Sequence, residues 1–180
     1  MSAQSRVAVR YADALMSIAK EQNTLDAIRD NMEDIHDTIS GSRELKTLLK
    51  SPIVPSEKKQ NILDALFAEK VNPVVKNLLA LLCDKDRTEV LDAIAVSYIE
   101  KYRNLNGIQK AIVVTAIELD EEMRADFVNK VKEISGKDKV ELTSLVDSSI
   151  IGGYILTVDD REIDASISSK FRALRRELVA

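Results

Sequence analysis

The chain has one cysteine, one histidine and no long uninterrupted apolar run. A single cysteine cannot form an intrachain disulfide, and it cannot supply the paired thiolates of a cysteine-rich metal site. A transmembrane helix needs about 20 consecutive apolar residues, which no segment reaches. Only five glycines and three prolines interrupt the 180 residues, so the composition favours helices over most of the length.

The sequence also lacks an excess of positive charge. Its net charge is -4 and its isoelectric point is near 5.2. A general nucleic-acid-binding protein usually carries a broad basic face, so this balance argues against that class and leaves room only for a local basic patch. With 45% hydrophobic residues, the chain is able to bury a core and to divide into two domains.

The two residues best suited to catalysis lie in ordinary helical contexts. Cys83 follows the apolar run 78–82, which predicts a small buried side chain. His36 lies among acidic residues of a helical pattern, which predicts a surface position. A small hydrolase would need a nucleophile paired with a base, and the sequence offers no credible pair. We therefore predict no catalytic residue, no cofactor and no metal site.

The first part of the sequence predicts about six helices. Apolar residues recur at spacings of three and four, and Gly41 ends the second helix. Pro55-Ser56, Asn72-Pro73 and Thr88 each carry the chemistry of a helix start. The last of these helices runs through Tyr102. This part is predicted to be a six-helix bundle spanning residues 1–105.

The composition changes after this point, and residues 106–180 are predicted to form a small α+β domain. Strand-like runs cover Ile108 to Ile117 and Lys139 to Val146, and a helix from Asp120 lies between them. Gly136 suits the left-handed end of that helix. With a terminal hairpin and helix, the order is strand, helix, three strands, helix. The predicted class is α+β: a helical bundle followed by a short β-sheet with two helices.

The terminal hairpin carries a double glycine and an acidic turn. Extended runs Ile150 to Val158 and Glu162 to Ile163 flank Asp159-Asp160, and Gly152-Gly153 inside the first run predicts a bulge or a close backbone approach. A phosphate cradle is disfavoured because no Lys-Ser or Lys-Thr pair follows the glycines. A cation site at the turn is disfavoured because calcium-loop spacing is absent, so the carboxylates are expected to be solvated.

Two helices of the first part have more apolar surface than one neighbour requires. In the opening helix, one stripe comprises Val7, Tyr11, Ala14 and Ile18, and an adjacent, mostly alanine stripe comprises Ala8, Ala12, Leu15 and Ala19. Small side chains allow another helix to approach closely, so the alanine stripe is expected to contact either the domain's own helices or a partner helix. The helix from Pro73 is apolar around nearly its whole circumference.

The last helix is basic and amphipathic. Its apolar residues, Ile167, Phe171, Leu174 and Leu178, are expected to pack onto the sheet. Beside them lie Lys170, Arg172, Arg175 and Arg176. These charges are expected either to be solvated or to form a docking site for an acidic partner.

The segment 146–178 resembles the C-terminal signature of the delta subunit of F-type ATP synthases, whose mitochondrial relative is the oligomycin-sensitivity-conferring protein. The matching positions are Asp147, Gly152, Gly153, Asp164, Ser166, Leu174 and Leu178. Ala165 departs from the pattern, because the family commonly has glycine there. The resemblance extends to residues of the opening helix, to Ser51-Pro52-Ile53 with Glu57-Lys58-Lys59, and to Asn77 through Arg87.

This resemblance implies a non-catalytic stator subunit that links the catalytic head to the peripheral stalk and resists rotor torque during proton-coupled ATP synthesis. The first domain would bind the N-terminal segments of the alpha subunits through its first and fifth helices. The expected groove residues are Ala8, Tyr11, Ala12, Leu15, Ala19, Leu78, Leu81 and Leu82. The second domain would bind the b subunits of the stalk. No transit peptide is evident, which implies a peripheral location on the cytoplasmic face of a bacterial inner membrane.

A second interpretation belongs to another class. A small helical nucleic-acid-binding or regulatory module would use Lys170, Arg172, Arg175 and Arg176 against phosphates. Such binding would weaken steeply with salt, whereas an apolar helix-in-groove contact would change little.

Overall fold

The computed structural model describes residues 3–67 and 69–179, with side chains for residues 6–67 and 69–176. The chain divides into two compact units, Met1–Tyr102 and Arg103–Ala180. The division falls in the last turns of a long helix, near the change in composition that follows Arg103.

The first unit is helical throughout its described elements. They are α1 (Ala3–Glu21), α2 (Leu25–Gly41), α3 (Arg43–Lys50), α4 (Ser56–Phe67), α5 (Pro73–Asp84), a 3₁₀ turn (Thr88–Val90) and α6 (Leu91–Asn106). Asn72 caps α5 by accepting a hydrogen bond from the Val74 amide at 3.0 Å, and Pro73 occupies the first helical position. Ser42 caps α3 in the same way through the Leu45 amide.

A single apolar core fills the first unit. On α2, the periodic residues Ile28, Met32, Ile35 and Ile39 are all buried, as the three-and-four spacing predicts. Tyr98 is fully buried on α6, and its hydroxyl donates to the Leu25 carbonyl at 3.3 Å. Burial raises the pKa of Tyr98 to about 12, so the ring stays neutral and serves as a packing residue.

The second unit is built on a four-stranded mixed sheet. Its elements are β1 (Ile108–Thr115), α7 (Glu121–Ser135), β2 (Lys139–Val146), a 3₁₀ turn (Ser148–Ile150), β3 (Tyr154–Val158), β4 (Arg161–Asp164) and α8 (Ile167–Val179). The strand order is β2-β1-β3-β4. α7 connects the parallel pair β1 and β2, and β3 lies antiparallel to both β1 and β4. The predicted α+β class is confirmed.

α7 covers one face of this sheet. Val131 on α7 is fully buried together with Val113 and Leu156 of the sheet. The Phe127 ring meets the Tyr154 ring edge to face, with centroids 5.0 Å apart. Gly136 ends α7 with a φ of 69°, which is the left-handed cap that the sequence predicts.

The hairpin begins later than the apolar run predicts. The Asp147 carboxylate accepts a hydrogen bond from the Ser149 amide at 2.9 Å and starts the 3₁₀ turn, and hydrogen bonding to Ser149 lowers the pKa of Asp147. The strand therefore starts at Tyr154, and the prediction of a strand from Ile150 is wrong for its first four residues. A local side-chain cap outweighed the β propensity of the two isoleucines at 150 and 151.

The double glycine makes the close backbone approach that the sequence predicts. A Cβ atom on Gly153, whose φ is 75°, would lie 2.3 Å from the Ala165 carbonyl oxygen. A Cβ on Gly152 would lie 2.8 Å from the Ile167 Cδ1 atom. Two backbone hydrogen bonds hold this approach, from the Ala165 amide to the Tyr154 carbonyl and from the Ile167 amide to the Gly152 carbonyl. Glycine is required at 153 because no side chain fits there.

The same connection starts α8. Buried Ser166 accepts a hydrogen bond from the Ser169 amide at 3.2 Å, in the manner of an N-cap. The Asp164 carboxylate accepts from the Ser169 hydroxyl and from the Ser166 amide. These hydrogen bonds, that of Ser169 foremost, lower the pKa of Asp164 to about 2.

We expect Gly153→Ala to destabilise the second unit more than Gly136→Ala. Both substitutions force alanine into a left-handed conformation, which costs roughly 1–2 kcal/mol. A Cβ at Gly136 meets nothing within 4 Å, whereas one at Gly153 collides with backbone. Urea unfolding followed by amide exchange in β3 measures the second unit by itself, and equal losses of stability in the two variants would contradict the packing argument.

We expect Ser169→Ala to raise the pKa of Asp164, because the Ser169 hydroxyl is the largest cause of its depression. The folded pKa lies below the unfolded value of about 3.9, so the stabilisation is present above about pH 4 and is lost as the pH falls toward about 2. A carbon-13 titration of the Asp164 carboxyl measures this pKa. Ser168→Ala is the control, and a titration unchanged by Ser169→Ala would contradict the assignment.

Candidate partner-binding surfaces

The two apolar stripes of α1 have different environments. The alanine stripe of Ala8, Ala12, Leu15 and Ala19 is buried, with no member more than 3% exposed. In the adjacent stripe, Ile18 is 38% exposed, Ala14 is exposed, and Val7 and Tyr11 are half-buried against the core. The domain's own α2 and the 3₁₀ turn contact α1. Of the two alternatives for the alanine stripe, packing within the domain is therefore the one observed.

On α5, too, some apolar residues are buried and others are exposed. Leu78 and Leu82 are buried in the core, while Leu81 is 41% exposed. Val74, Leu78 and Leu81 follow the spacing of one helix face, so that face is buried in the middle and open at its C-terminal end.

The residues of the expected groove differ in their exposure. Six of its eight residues are buried, none of them more than 8% exposed; they are Ala8, Ala12, Leu15, Ala19, Leu78 and Leu82. Tyr11 and Leu81 remain accessible. The physical reason is that small residues let the domain's own helices approach α1, and this turns the larger residues outward.

The second unit has an apolar groove that the sequence did not indicate. It has a volume of about 790 Å³ and lies between the end of β1, α7 and the turn before β3. Exposed Ile117, Met123 and Ile151 line it, together with Phe127. Ile151 has a φ of 69° and a ψ of -36°, which is rare for a β-branched residue. In the sequence, the only feature that indicates the turn before β3 is its capping residue, Asp147.

The carboxylates at the rim of this groove lack ion pairs. Asp126 and Glu133 line it, and within the described part of the chain no salt bridge engages either one. Lys130 lies between them in sequence, but its ammonium is held over the Tyr154 ring, 4.5 Å from the centroid, and donates to the Tyr154 hydroxyl. Two carboxylates and one ammonium therefore border the groove.

A second apolar surface of this unit is the exposed stripe of α8. Ile167 is 39% exposed, Phe171 is 59% exposed and Leu174 is 53% exposed, so the expectation that they pack onto the sheet is wrong. The side chain of Leu178 lies outside the described residues. The N-terminal anchoring of α8 at Ser166 fixes the helix start but leaves this face uncovered.

The geometry of the described residues does not favour a catalytic site or a metal site. Cys83 is buried, and burial raises the pKa of its thiol. His36 is half-buried rather than free on the surface, and its Nδ1 atom lies 2.8 Å from an Asp92 carboxylate oxygen. Among the described residues, no group of His, Cys, Asp and Glu is arranged to hold a metal ion.

The acidic hairpin carboxylates do not converge on a cation site. Asp159 accepts a hydrogen bond from the amide nitrogen of buried Gln109 at 2.7 Å, and the Asp164 carboxylate is engaged by two serines. Within the described part of the chain, no helix is long and apolar enough to span a membrane.

Comparisons with known proteins agree over nearly the whole chain. The family model described as ATP synthase delta (OSCP) subunit matches residues 7–178. ATP synthase subunit delta of Christiangramia forsetii is 38% identical over 174 residues, covering 97% of this chain and 94% of the relative. The corresponding protein of Flavobacterium johnsoniae is 38% identical over 176 residues and 98% of each chain. That of a Synechococcus strain is 35% identical over 168 residues and 93% of each.

A solved structure agrees in fold. A chain in the cryo-EM structure of the Toxoplasma gondii mitochondrial ATP synthase hexamer superposes with a TM-score of 0.72, covering 100% of this chain and 99% of that one, at 22% identity. The nucleic-acid alternative has no support among these relatives. The chain belongs to the ATP synthase delta (OSCP) family, and it is a non-catalytic stator subunit of that complex.

Proposed function

We propose that the two units bind different parts of the ATP synthase, the first unit the N-terminal segments of the alpha subunits and the second unit the ends of the peripheral-stalk b subunits. The chain thereby joins the catalytic head to the stalk, so that rotor torque drives synthesis instead of turning the head. Its membrane association is indirect, through the complex, on the cytoplasmic face of a bacterial inner membrane. No cofactor and no nucleic acid take part.

The accessible apolar surface of α1 and α5 supports the proposal for the first unit. Val7, Tyr11 and Ile18 on α1, with Val74 and Leu81 on α5, remain at least partly accessible although each helix also supplies the core. An amphipathic partner helix is recognised by such anchors at helical spacing. The buried residues of the expected groove belong to the core against which Val7, Tyr11 and Val74 pack.

The second unit offers two apolar surfaces for the stalk. One is the groove beside α7 and the other is the exposed stripe of α8. Each combines apolar residues with ionic groups at its edge, a composition that suits an amphipathic helix.

We expect Leu81→Asp to weaken binding of a synthetic peptide matching the N-terminal segment of alpha by about tenfold or more, because it places an unpaired charge in a dry contact. Ile18→Asp is expected to weaken the same binding. Both side chains are more than a third exposed, so the variants are expected to fold. Calorimetric titration of the full chain measures the affinity.

Leu66→Asp on α4 is the matched control, because Leu66 is 38% exposed and lies on neither α1 nor α5. It is expected to bind like the unmodified chain. Leu15→Asp is unsuitable for this test, since a charge at a buried position is expected to unfold the domain. Folded Leu81→Asp and Ile18→Asp variants with unchanged affinity would remove α1 and α5 from the contact.

A further inference from the structure

The exposed stripe of α8 carries positive charge on both of its edges. Lys170 lies three residues after Ile167 and four before Leu174, which places it along one edge of the stripe. Arg175 lies four residues after Phe171 and borders the opposite edge. No acidic residue occurs from 165 to 176. Glu177 is the first acidic residue after this stretch. Within residues 167–176 the apolar stripe therefore has a cationic border on either side.

These border charges have no partner within the described chain. Lys170 and Arg175 take part in no salt bridge or side-chain hydrogen bond among the residues that the structure describes. Arg172 differs, because its guanidinium donates to the Ser169 hydroxyl at 2.8 Å and so turns back along its own helix. The two border cations are available to an incoming anionic group.

The helix start that carries the stripe is held firmly in place. Ser166 and Asp164 engage its first turn, and the Ile167 amide donates to the Gly152 carbonyl at 3.0 Å. This anchoring offers the stripe as a preformed surface, and a preformed surface lowers the entropic cost of binding.

We propose that the α8 stripe binds an amphipathic helix of the peripheral stalk whose apolar face is bordered by Asp and Glu. The inference rests on the proposed function of the second unit and specifies its surface. Apolar contact with Ile167, Phe171 and Leu174 supplies affinity, and Lys170 and Arg175 fix the register by pairing with the acidic borders. The groove beside α7 is bordered by two carboxylates and one ammonium, so it offers no comparable pair of cations to acidic borders.

An anionic membrane is the other surface that attracts basic amphipathic helices. The net charge of -4 opposes approach of the whole chain to such a membrane. A protein helix with acidic borders is therefore the favoured occupant.

The test is calorimetric titration of the full chain with a synthetic peptide matching the C-terminal segment of the stalk protein b from the same organism. Lys170→Glu with Arg175→Glu is expected to weaken binding by about tenfold or more at low salt and to reduce its salt dependence. Phe171→Ser is expected to weaken binding about tenfold. Circular dichroism establishes that each variant is folded.

Matched controls lie in the same unit. Lys132→Glu with Lys139→Glu makes the same change in net charge away from α8 and is expected to stay within about twofold of the unmodified affinity. Leu145→Ser removes an exposed apolar side chain from β2 that belongs to neither the groove nor the stripe, and it is expected to have no effect. Met123→Ser removes an exposed apolar side chain from the groove and tests that surface as the alternative site for the stalk.

The outcomes separate the surface from the proposed function. Binding that survives the α8 variants but is lost in Met123→Ser would overturn the α8 surface while the stalk function stands. Absence of binding by the unmodified chain would overturn both. Cosedimentation with phosphatidylglycerol vesicles that is lost in Lys170→Glu with Arg175→Glu, with stalk binding unchanged, would assign the stripe to a membrane and overturn the inference.

Discussion

Close helix packing through alanine is the constraint on which the first unit depends. Ala8, Ala12 and Ala19 let the domain's own elements approach α1 closely, so small side chains fill the core along this helix. The larger residues Tyr11 and Ile18 then lie on the adjacent, more accessible face. A protein that acts by binding partners needs apolar surface that is not buried in its own core. The accessible apolar stripe of α1 provides such a surface.

The second unit depends on a different close approach, between Gly153 and the backbone of Ala165. That approach brings Asp164 and Ser166 to the first turn of α8, where their hydrogen bonds start the helix. The resembling positions from Asp147 to Ser166 thus include residues that cap a turn, permit a backbone contact and cap a helix. Gly153, Asp164 and Ser166 fix where α8 begins, and none of them needs to touch a partner for that purpose.

Much of the fold followed from local patterns. The cap at Asn72, the left-handed Gly136 and the spacing of Ile28 to Ile39 each depend on nearby residues, and each was predicted correctly. The partner surface was harder to predict. When a helix has two apolar stripes, its sequence does not show which stripe is buried within its own domain. The exposure of Phe171 was missed for the same reason: amphipathic spacing predicts an apolar face but not the element that packs on it.

As an adaptor, one chain has to hold two partners at once. The most direct measurement saturates the full chain with the N-terminal peptide of alpha and then titrates the C-terminal peptide of b by calorimetry, comparing its affinity with that for the free chain. We expect a ternary complex in which the affinity for the b peptide is the same within about twofold, because the proposed surfaces lie in separate units. Competition between the two peptides for one surface would contradict it.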